Sequence, residues 1–375
     1  MKKILWLTSW YPNRTDRFTG DFIQRHARAV SQYQDITVLH VVPNPNPSSE
    51  ELIENKQIKE WLVYYKGSSP FRYLKYYKRL IKSYISKEGL PDLVHVHIPI
   101  KAGLLGLWMK KKYKIPFLLT DHYGIYNELV DEPYSKRSPF FKFFTRKILR
   151  ESSLFLPVSD DMGRAVSRLV LPKNYRVIFN TVNESYFHYR PRVRDNFRFI
   201  HVSNMAPLKN LPAILRAFAA ISKLKPETEL VIVGPHGPEE LAAAVPTGLL
   251  NKSIFFKGEI PYHEVALEMQ SADGLLLFSR TENMPCVVLE ALCCGLPVIA
   301  PAVGGIPEVI DPSNGILVRP GYEEELKQAM LGMITESARF DGSSISKKAI
   351  ARFGYPAIGE QISQIYEELI SGRSD

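Results

Sequence analysis

Cysteine is scarce: Cys286, Cys293 and Cys294 are the only three in 375 residues. They form no C-x-x-C pair and have no histidine cluster beside them, which excludes a disulfide framework and a structural zinc site. The thiols fit a reducing cytoplasm and read as small apolar core residues. Long hydrophobic runs are also missing. The apolar stretch from Ile4 to Leu7 stops at Thr8-Ser9 and meets Trp10-Tyr11-Pro12, too short for the core of a signal peptide. No segment approaches the roughly 18 unbroken apolar residues of a membrane span, so a cytoplasmic protein is expected. Internal repeats and low-complexity tracts are absent. No G-x-G-x-x-G follows the first apolar strand, which counts against a dinucleotide-dependent oxidoreductase.

What is present is the balance of a globular protein, 45% hydrophobic and 23% charged residues, at a length that suits two domains. The net charge of +9 is unevenly spread. Residues 1–190 hold 31 Lys and Arg against 17 Asp and Glu, a charge of +14, and residues 191–375 carry −5. A basic half calls for an anionic partner: a membrane face, a nucleic acid or a phosphorylated substrate.

Strands and helices alternate along both halves. Lys3 to Thr8 reads as a strand, Asp21 to Val30 as a helix, Ile36 to Val42 as a strand, and Pro43 to Pro47 as a proline-rich loop. Two more strands, Leu93 to Ile98 and Ile115 to Thr120, flank a helix over Ala102 to Lys111. The pattern breaks around Asn183 to Asn196 and restarts at Phe197 to Val202. It continues with a helix from Leu211 to Leu224, a strand from Glu229 to Val233, and further units ending in a helix over Glu323 to Ile334, among them a helix from Pro307 to Ile310. Alternation of this kind predicts parallel sheets covered by helices on both faces, twice over. The predicted domains are 1–190 and 191–354, with an amphipathic helix and tail over 355–375.

One constellation stands out. Glu282 lies in a loop just past a strand, Pro285 suits a first helical turn, and Glu290 follows on the helix. A carboxylate at a helix start and a solvated one further along would explain each residue singly. The full string Glu282-Asn283-Met284-Pro285-Cys-Val-Val-Leu-Glu290-Ala, followed by Gly295-Leu-Pro-Val298, resembles the E-x7-E signature of the retaining glycosyltransferases of family 4. Gly304-Gly305-Ile-Pro-Glu308, Asn314-Gly-Ile-Leu-Val318 and Ile178-Phe-Asn-Thr-Val-Asn183 also match the family, so the resemblance covers most of the chain.

The resemblance implies a GT-B fold: two doubly wound Rossmann-like domains facing across a cleft, the first binding acceptor and the second a nucleotide-sugar donor. The C-terminal helix is then expected to return to the first domain. It implies a hexosyl- or N-acetylhexosaminyltransferase acting with retention, without metal or cofactor, on a UDP- or GDP-linked donor. Carried over residue by residue, Glu290 holds the donor ribose, and Glu282 holds hydroxyls of the transferred sugar with Asn283, Met284 and Pro285 beside it. Asn283 stands where the family has Gly. Lys209 matches the family's diphosphate-binding Lys, while Asn204 replaces the usual Arg five residues earlier. Gly304 and Gly305 offer main-chain groups to the phosphates, and Gly20 sits in the loop that approaches the donor. His122, in Thr120-Asp-His-Tyr-Gly124, matches the strand-end His that holds the sugar. Asp121 either orients His122 or starts the next turn, and His95 and His97 read as core or supporting residues. Front-face transfer, in which the departing phosphate oxygen takes the acceptor proton, needs no protein nucleophile.

Residues 71–85 place Arg72, Lys75, Lys78, Arg79 and Lys82 on one helical arc and Leu74, Tyr77, Ile81 and Ile85 on the other. Lys110, Lys111, Lys112 and Lys114, and a run from Lys136 to Arg150 interleaved with Phe140, Phe141, Phe143 and Phe144, add to the basic face. Peripheral contact with an anionic inner membrane face, and a glycan or lipid-linked acceptor, are expected. No nucleic-acid module is present and no nucleic-acid partner is expected. The alternatives are a GT-B sugar-nucleotide epimerase and a non-catalytic, membrane-associated assembly protein.

Overall fold

The computed structural model describes residues 1–44, 50–54, 58–67, 69–192, 196–235, 245 and 248–372, with the strand at 50–54 defined by its backbone. The chain divides into two compact units, Met1–Thr181 with Tyr355–Asp375, and Val182–Gly354.

The first unit is built on β1 (Lys3–Thr8), β2 (Asp35–Asn44), β3 (Glu50–Glu54), β4 (Lys59–Lys66), β5 (Leu93–His97), β6 (Phe117–Asp121) and β7 (Phe155–Pro157). Their order is β3-β4-β2-β1-β5-β6-β7, with β3 antiparallel at the edge and the other pairings parallel. The central strands β1, β5 and β6 are buried almost throughout because helices cover both faces. Those helices are α1 (Asp21–Val30), α2 (Pro70–Glu88), α3 (Ala102–Tyr113), α4 (Pro139–Glu151) and α5 (Asp160–Leu169), joined by α11 (Tyr355–Ser371) from the end of the chain. Ile358, Ile362, Ile365 and Tyr366 of α11 share one core with Ile4, Trp6, Ile23 and Ala27. Each isoleucine among them contributes about 1.5–3 kcal/mol when buried. Polar bonds fix the register: Gln34 Nε2 donates to Ser363 Oγ at 2.7 Å, and His95 Nδ1 meets Tyr366 Oη at 2.5 Å.

The second unit is a parallel sheet of β8 (Arg198–Val202), β9 (Glu229–Val233), β10 (Ile254–Gly258), β11 (Gly274–Leu276), β12 (Val298–Pro301) and β13 (Gly315–Val318), ordered β10-β9-β8-β11-β12-β13. Around it lie α6 (Leu211–Leu224), α7 (Tyr262–Gln270), α8 (Cys286–Cys293), α9 (Glu323–Thr335) and α10 (Gly342–Phe353). Phe199, Phe218, Ile232, Leu276, Phe278 and Met330 form its core.

Several sequence expectations are corrected. The first boundary falls after Thr181 and not after residue 190, because the intervening segment is tied into the second unit. Gln270 Nε2 donates to the carbonyls of Tyr186 and His188, at 2.9 and 3.0 Å, and Phe187 packs its ring on Tyr262. Pro43 and Asn44 continue β2, while residues 45–47 of the expected loop lie outside the described residues. The helix expected from Pro307 to Ile310 is a single 3-10 turn at Ile306–Glu308. Strands β3, β4 and β7 and helices α4, α5 and α10 had no counterpart in the sequence reading. Helix α4 nevertheless starts on a recognisable cap, Ser138 accepting the Phe141 N–H at 3.2 Å, with Pro139 in the first turn.

Candidate functional site

In the second unit β8 and β11 are neighbours, but the chain leaves β8 towards β9 and leaves β11 towards β12, on opposite sides. The loops after β8 and β11 therefore part and leave a crevice at the carboxyl ends of the strands, the usual ligand position in an open parallel sheet. Both loops carry residues singled out from the sequence.

The loop after β8 is held from below by His201. This buried ring contacts the Leu276 carbonyl through Nδ1 at 2.9 Å and Ser203 Oγ through Nε2 at 2.8 Å. Burial lowers its pKa to about 4, so the ring is neutral, with Nδ1–H donating to the carbonyl and Nε2 accepting the serine proton. Ser203 Oγ in turn accepts the Met205 N–H at 3.0 Å. Asn204 folds its side-chain oxygen back onto the Ala206 N–H at 3.2 Å. A 3-10 turn at Pro207–Lys209 then leads into α6, and the Arg280 N–H donates to the Leu208 carbonyl at 2.8 Å, stitching the two loops together. Lys209 Nζ reaches Glu282 Oε1 at 2.6 Å.

Glu282 and Asn283 are clamped from the other side. Gly305 N–H donates to the Asn283 carbonyl at 2.7 Å. Gly304 has φ +54°, and a Cβ there would stand 1.8 Å from the Glu282 carbonyl oxygen, so only glycine permits the approach. Pro285 precedes α8, Met284 is buried beside it, and Glu290 lies within the helix. Glu290 is buried and not solvated, and its Oε1 accepts the Tyr262 hydroxyl of α7 at 3.0 Å. Lys209, Glu282, Asn283, Gly304 and Gly305 are thus brought together around the crevice. Tyr262, His201 and Arg280 were missed, since no local spacing ties them to it.

In the first unit His122 follows β6 and faces α1, its ring 4.5 Å from Phe22 and 5.5 Å from His26 between centroids. Behind it His97 is 6.0 Å away, His95 lies 4.1 Å beyond His97, and Trp6 lies 4.1 Å from His97. Burial holds His122, His97 and His95 well below the usual imidazole range and His26 at about 4, so the column is neutral. His95 and His97 are core residues. Asp121 braces the turn: its oxygens accept the Tyr123 N–H at 2.9 Å and the Tyr126 hydroxyl at 2.7 Å. Burial pushes this carboxyl up to about 7 against the pull of those bonds. Gly20 begins α1 at φ +80°, and a Cβ there would stand 2.6 Å from the Trp10 carbonyl carbon, so the close approach it makes is to the chain's own backbone.

Among the described residues no group of three or more His, Cys, Asp or Glu is placed to hold a metal ion, and no helix is long and apolar enough to cross a membrane.

Comparison with known proteins bears directly on both units. The family described as Glycosyltransferase Family 4 matches residues 20–186, and that described as Glycosyl transferases group 1 matches residues 186–348. A Bacillus subtilis (strain 168) glycosyltransferase named for teichuronic acid biosynthesis is 27% identical over 96% of this chain and 94% of its own. Sucrose-phosphate synthase from Thermosynechococcus elongatus superposes with a TM-score of 0.82 at 21% identity, covering 99% of this chain and all of that one, 100%. Anabaena HepE in complex with UDP-glucose superposes at 0.72 with 17% identity, over 98% of this chain and 100% of its own.

Proposed function

The chain belongs to the family 4 glycosyltransferases of GT-B fold, and on that premise we propose that it moves a sugar from a nucleoside-diphosphate donor to a cell-envelope glycan or lipid-linked acceptor, with retention and without a metal ion. The observation that carries this reading is the Lys209–Glu282 pair at the sheet crevice, with Glu290 buried on the helix behind it.

In this reading the second unit holds the donor. Glu290, steadied by Tyr262, accepts hydrogen bonds from the ribose, and Glu282 accepts from hydroxyls of the transferred sugar. Lys209 and the Gly304–Gly305 main chain stabilise the leaving diphosphate, where negative charge grows in the transition state. Asn204, in place of an Arg, leaves Lys209 as the cation of that loop. His122, a neutral ring, is assigned to the transferred sugar as a hydrogen-bonding partner. The acceptor hydroxyl attacks the anomeric carbon on the face the diphosphate leaves, the anomeric C–O bond breaks, and the departing phosphate oxygen takes the hydroxyl proton. No protein carboxylate becomes a nucleophile.

The envelope acceptor is supported by the named role of the Bacillus relative, and a UDP-linked donor by the ligand of the Anabaena neighbour. Peripheral attachment to an anionic membrane face on the cytoplasmic side is supported by α4. There Phe140 and Phe143 are 69% and 60% exposed, one helical turn apart, among Lys142, Arg146, Lys147 and Arg150. An apolar pair inside a basic face is the pattern of an interfacial helix.

The test is thermal-shift binding of the purified protein to UDP-, GDP-, ADP- and CMP-sugars, with Glu290→Ala as control. The expected result is selective stabilisation by one nucleotide class, lost in the variant. Donor conversion without acceptor would instead identify an epimerase, and no shift with any donor a non-catalytic protein.

A further inference from the structure

Strand β4 and the β1–α1 connection line a cavity of about 450 Å³ in the first unit. Glu60 belongs to its wall and is only 3% exposed. Its Oε1 is saturated, accepting the Tyr11 hydroxyl at 2.6 Å and Gln24 Nε2 at 2.9 Å. Burial, reinforced by the neighbouring Glu60 charge, raises the Tyr11 pKa well above its usual value, so this phenol remains a donor. Glu60 Oε2, by contrast, has no hydrogen-bond partner among the described residues. Because Glu60 lines the cavity, that oxygen is left to accept hydrogen bonds from a group entering it.

The opening of the cavity carries the opposite charge. Arg14 and Arg17 come from the β1–α1 connection and are exposed. Arg14 lies over the Tyr64 ring, 4.8 Å from its centroid, and its main-chain N–H donates to the Tyr64 hydroxyl at 3.1 Å. Arg17 makes no hydrogen bond or ion pair with any described residue. The nearby Asp16 makes no ion pair with it; its Oδ1 accepts the Phe18 and Thr19 N–H groups, both at 2.9 Å.

We infer that this cavity receives a sugar ring bearing an anionic substituent, with ring hydroxyls donating to Glu60 Oε2 and the carboxylate or phosphate turned to Arg17. The inference rests on the transferase reading, in which this ring is the acceptor end. The volume suits a monosaccharide unit. The two charges also fix the orientation: Glu60 repels an anion from the wall, whereas guanidinium pairs with carboxylate or phosphate through its fork of donors.

Saturation-transfer NMR on the full chain tests this, with glucose, glucuronate and glucose 6-phosphate as probes and a nucleotide-sugar titration run beside them. The wild type is expected to bind glucuronate or glucose 6-phosphate about tenfold more tightly than glucose, and which of the two is preferred separates a carboxylated from a phosphorylated acceptor. Arg17→Ala, on an exposed loop, is expected to remove that preference. Glu60→Gln, which keeps an acceptor for Tyr11, is expected to weaken all three probes about tenfold or more, with nucleotide binding unchanged in both variants. Equal binding of charged and neutral sugars by the wild type, or a preference that survives Arg17→Ala, overturns the inference. So does the absence of any sugar binding in a protein that still binds a nucleotide sugar. Loss of nucleotide binding as well would instead sink the transferase reading beneath it.

Discussion

Lys209 Nζ and Glu282 Oε1 lie 2.6 Å apart although their residues stand on loops 73 positions apart in the chain. Their side chains are 23% and 9% exposed, so the contact is largely shielded from solvent. Each charge holds the other in place over the crevice, and in the proposed function a diphosphate would compete with Glu282 for the same ammonium group.

Removing either partner should separate two effects. Lys209→Ala leaves Glu282 mostly buried without its cation and is expected to destabilise the second unit by about 2 kcal/mol. Glu282→Gln keeps a hydrogen-bond acceptor, so the fold should survive while turnover falls about 10²–10³-fold. Chemical denaturation and initial rates on the two variants check this. A Glu282→Gln enzyme with normal turnover removes Glu282 from the sugar site.

Tyr262 supports Glu290 from α7. Tyr262→Phe is expected to weaken nucleotide affinity by about 3–10-fold, about the net worth of one ordinary hydrogen bond since the tyrosine acts through Glu290, without moving kcat. Calorimetric titration of the nucleotide, read beside kcat, distinguishes this from a general loss of structure.

Gly304→Ala sets a Cβ against the Glu282 carbonyl. Main chain must move, so a loss of at least about 2 kcal/mol in stability is expected, and with it the position of Glu282. Unchanged melting and unchanged activity in this variant would show that the loop has another way to pack.

The buried histidines set the pH dependence of stability. His26, His40 and His201 have folded pKa values of about 4 against an ordinary 6.5. The unfolded chain therefore takes up protons that the folded chain refuses, and stability is lost as pH falls from about 6.5 towards 4, by roughly 3 kcal/mol at most for each residue. Asp121, at about 7, works the other way, binding its proton in the folded state and adding stability on the acid side. Melting curves from pH 7.5 to 5 should show a falling Tm, and Asp121→Asn should make the fall steeper. A flat profile would mean that these imidazoles take up protons in the fold over the same pH range as in the unfolded chain.

Membrane attachment should depend on apolar insertion as well as charge. Substituting both Phe140→Ser and Phe143→Ser, residues without partners in the core, is expected to leave the melting temperature within about 2 °C and cut liposome flotation on anionic lipid several-fold. Wild-type protein that floats equally on neutral and anionic vesicles, or not at all, counts against this surface.

Much of the second unit was legible because its elements are local. Leu211–Leu224, Glu229–Val233 and Gly315–Val318 have the ends expected of them, marked by Pro, Gly and charged residues around strongly apolar stretches. The placement of Glu282 in a loop and Glu290 on α8 was legible for the same reason, since both lie in one short loop-and-helix stretch. What could not be read depends on partners far along the chain. Strand β4 is buried because β2 and β3 pair with it on either side, and its Glu60 is tolerated because Tyr11 and Gln24 meet it. Tyr262 matters through Glu290, and His201 through Leu276 and Ser203. The domain boundary slipped because the charged stretch near Asn183 resembles a linker, while Phe187 within it is fully buried.

Val182 and Gly354 form an isolated bridge, with the Val182 N–H donating to the Phe353 carbonyl at 2.8 Å. The second unit therefore begins and ends at one point, as an inserted domain does, and its chain can close on itself as soon as residue 354 is made. The first unit has no such freedom. Its sheet is translated early, yet the core face shared with α11 stays uncovered until Ile358 to Tyr366 emerge from the ribosome. A nascent or truncated chain ending before α11 therefore exposes that apolar face, and a chaperone or an early stop codon acts first on the half of the protein that was started first.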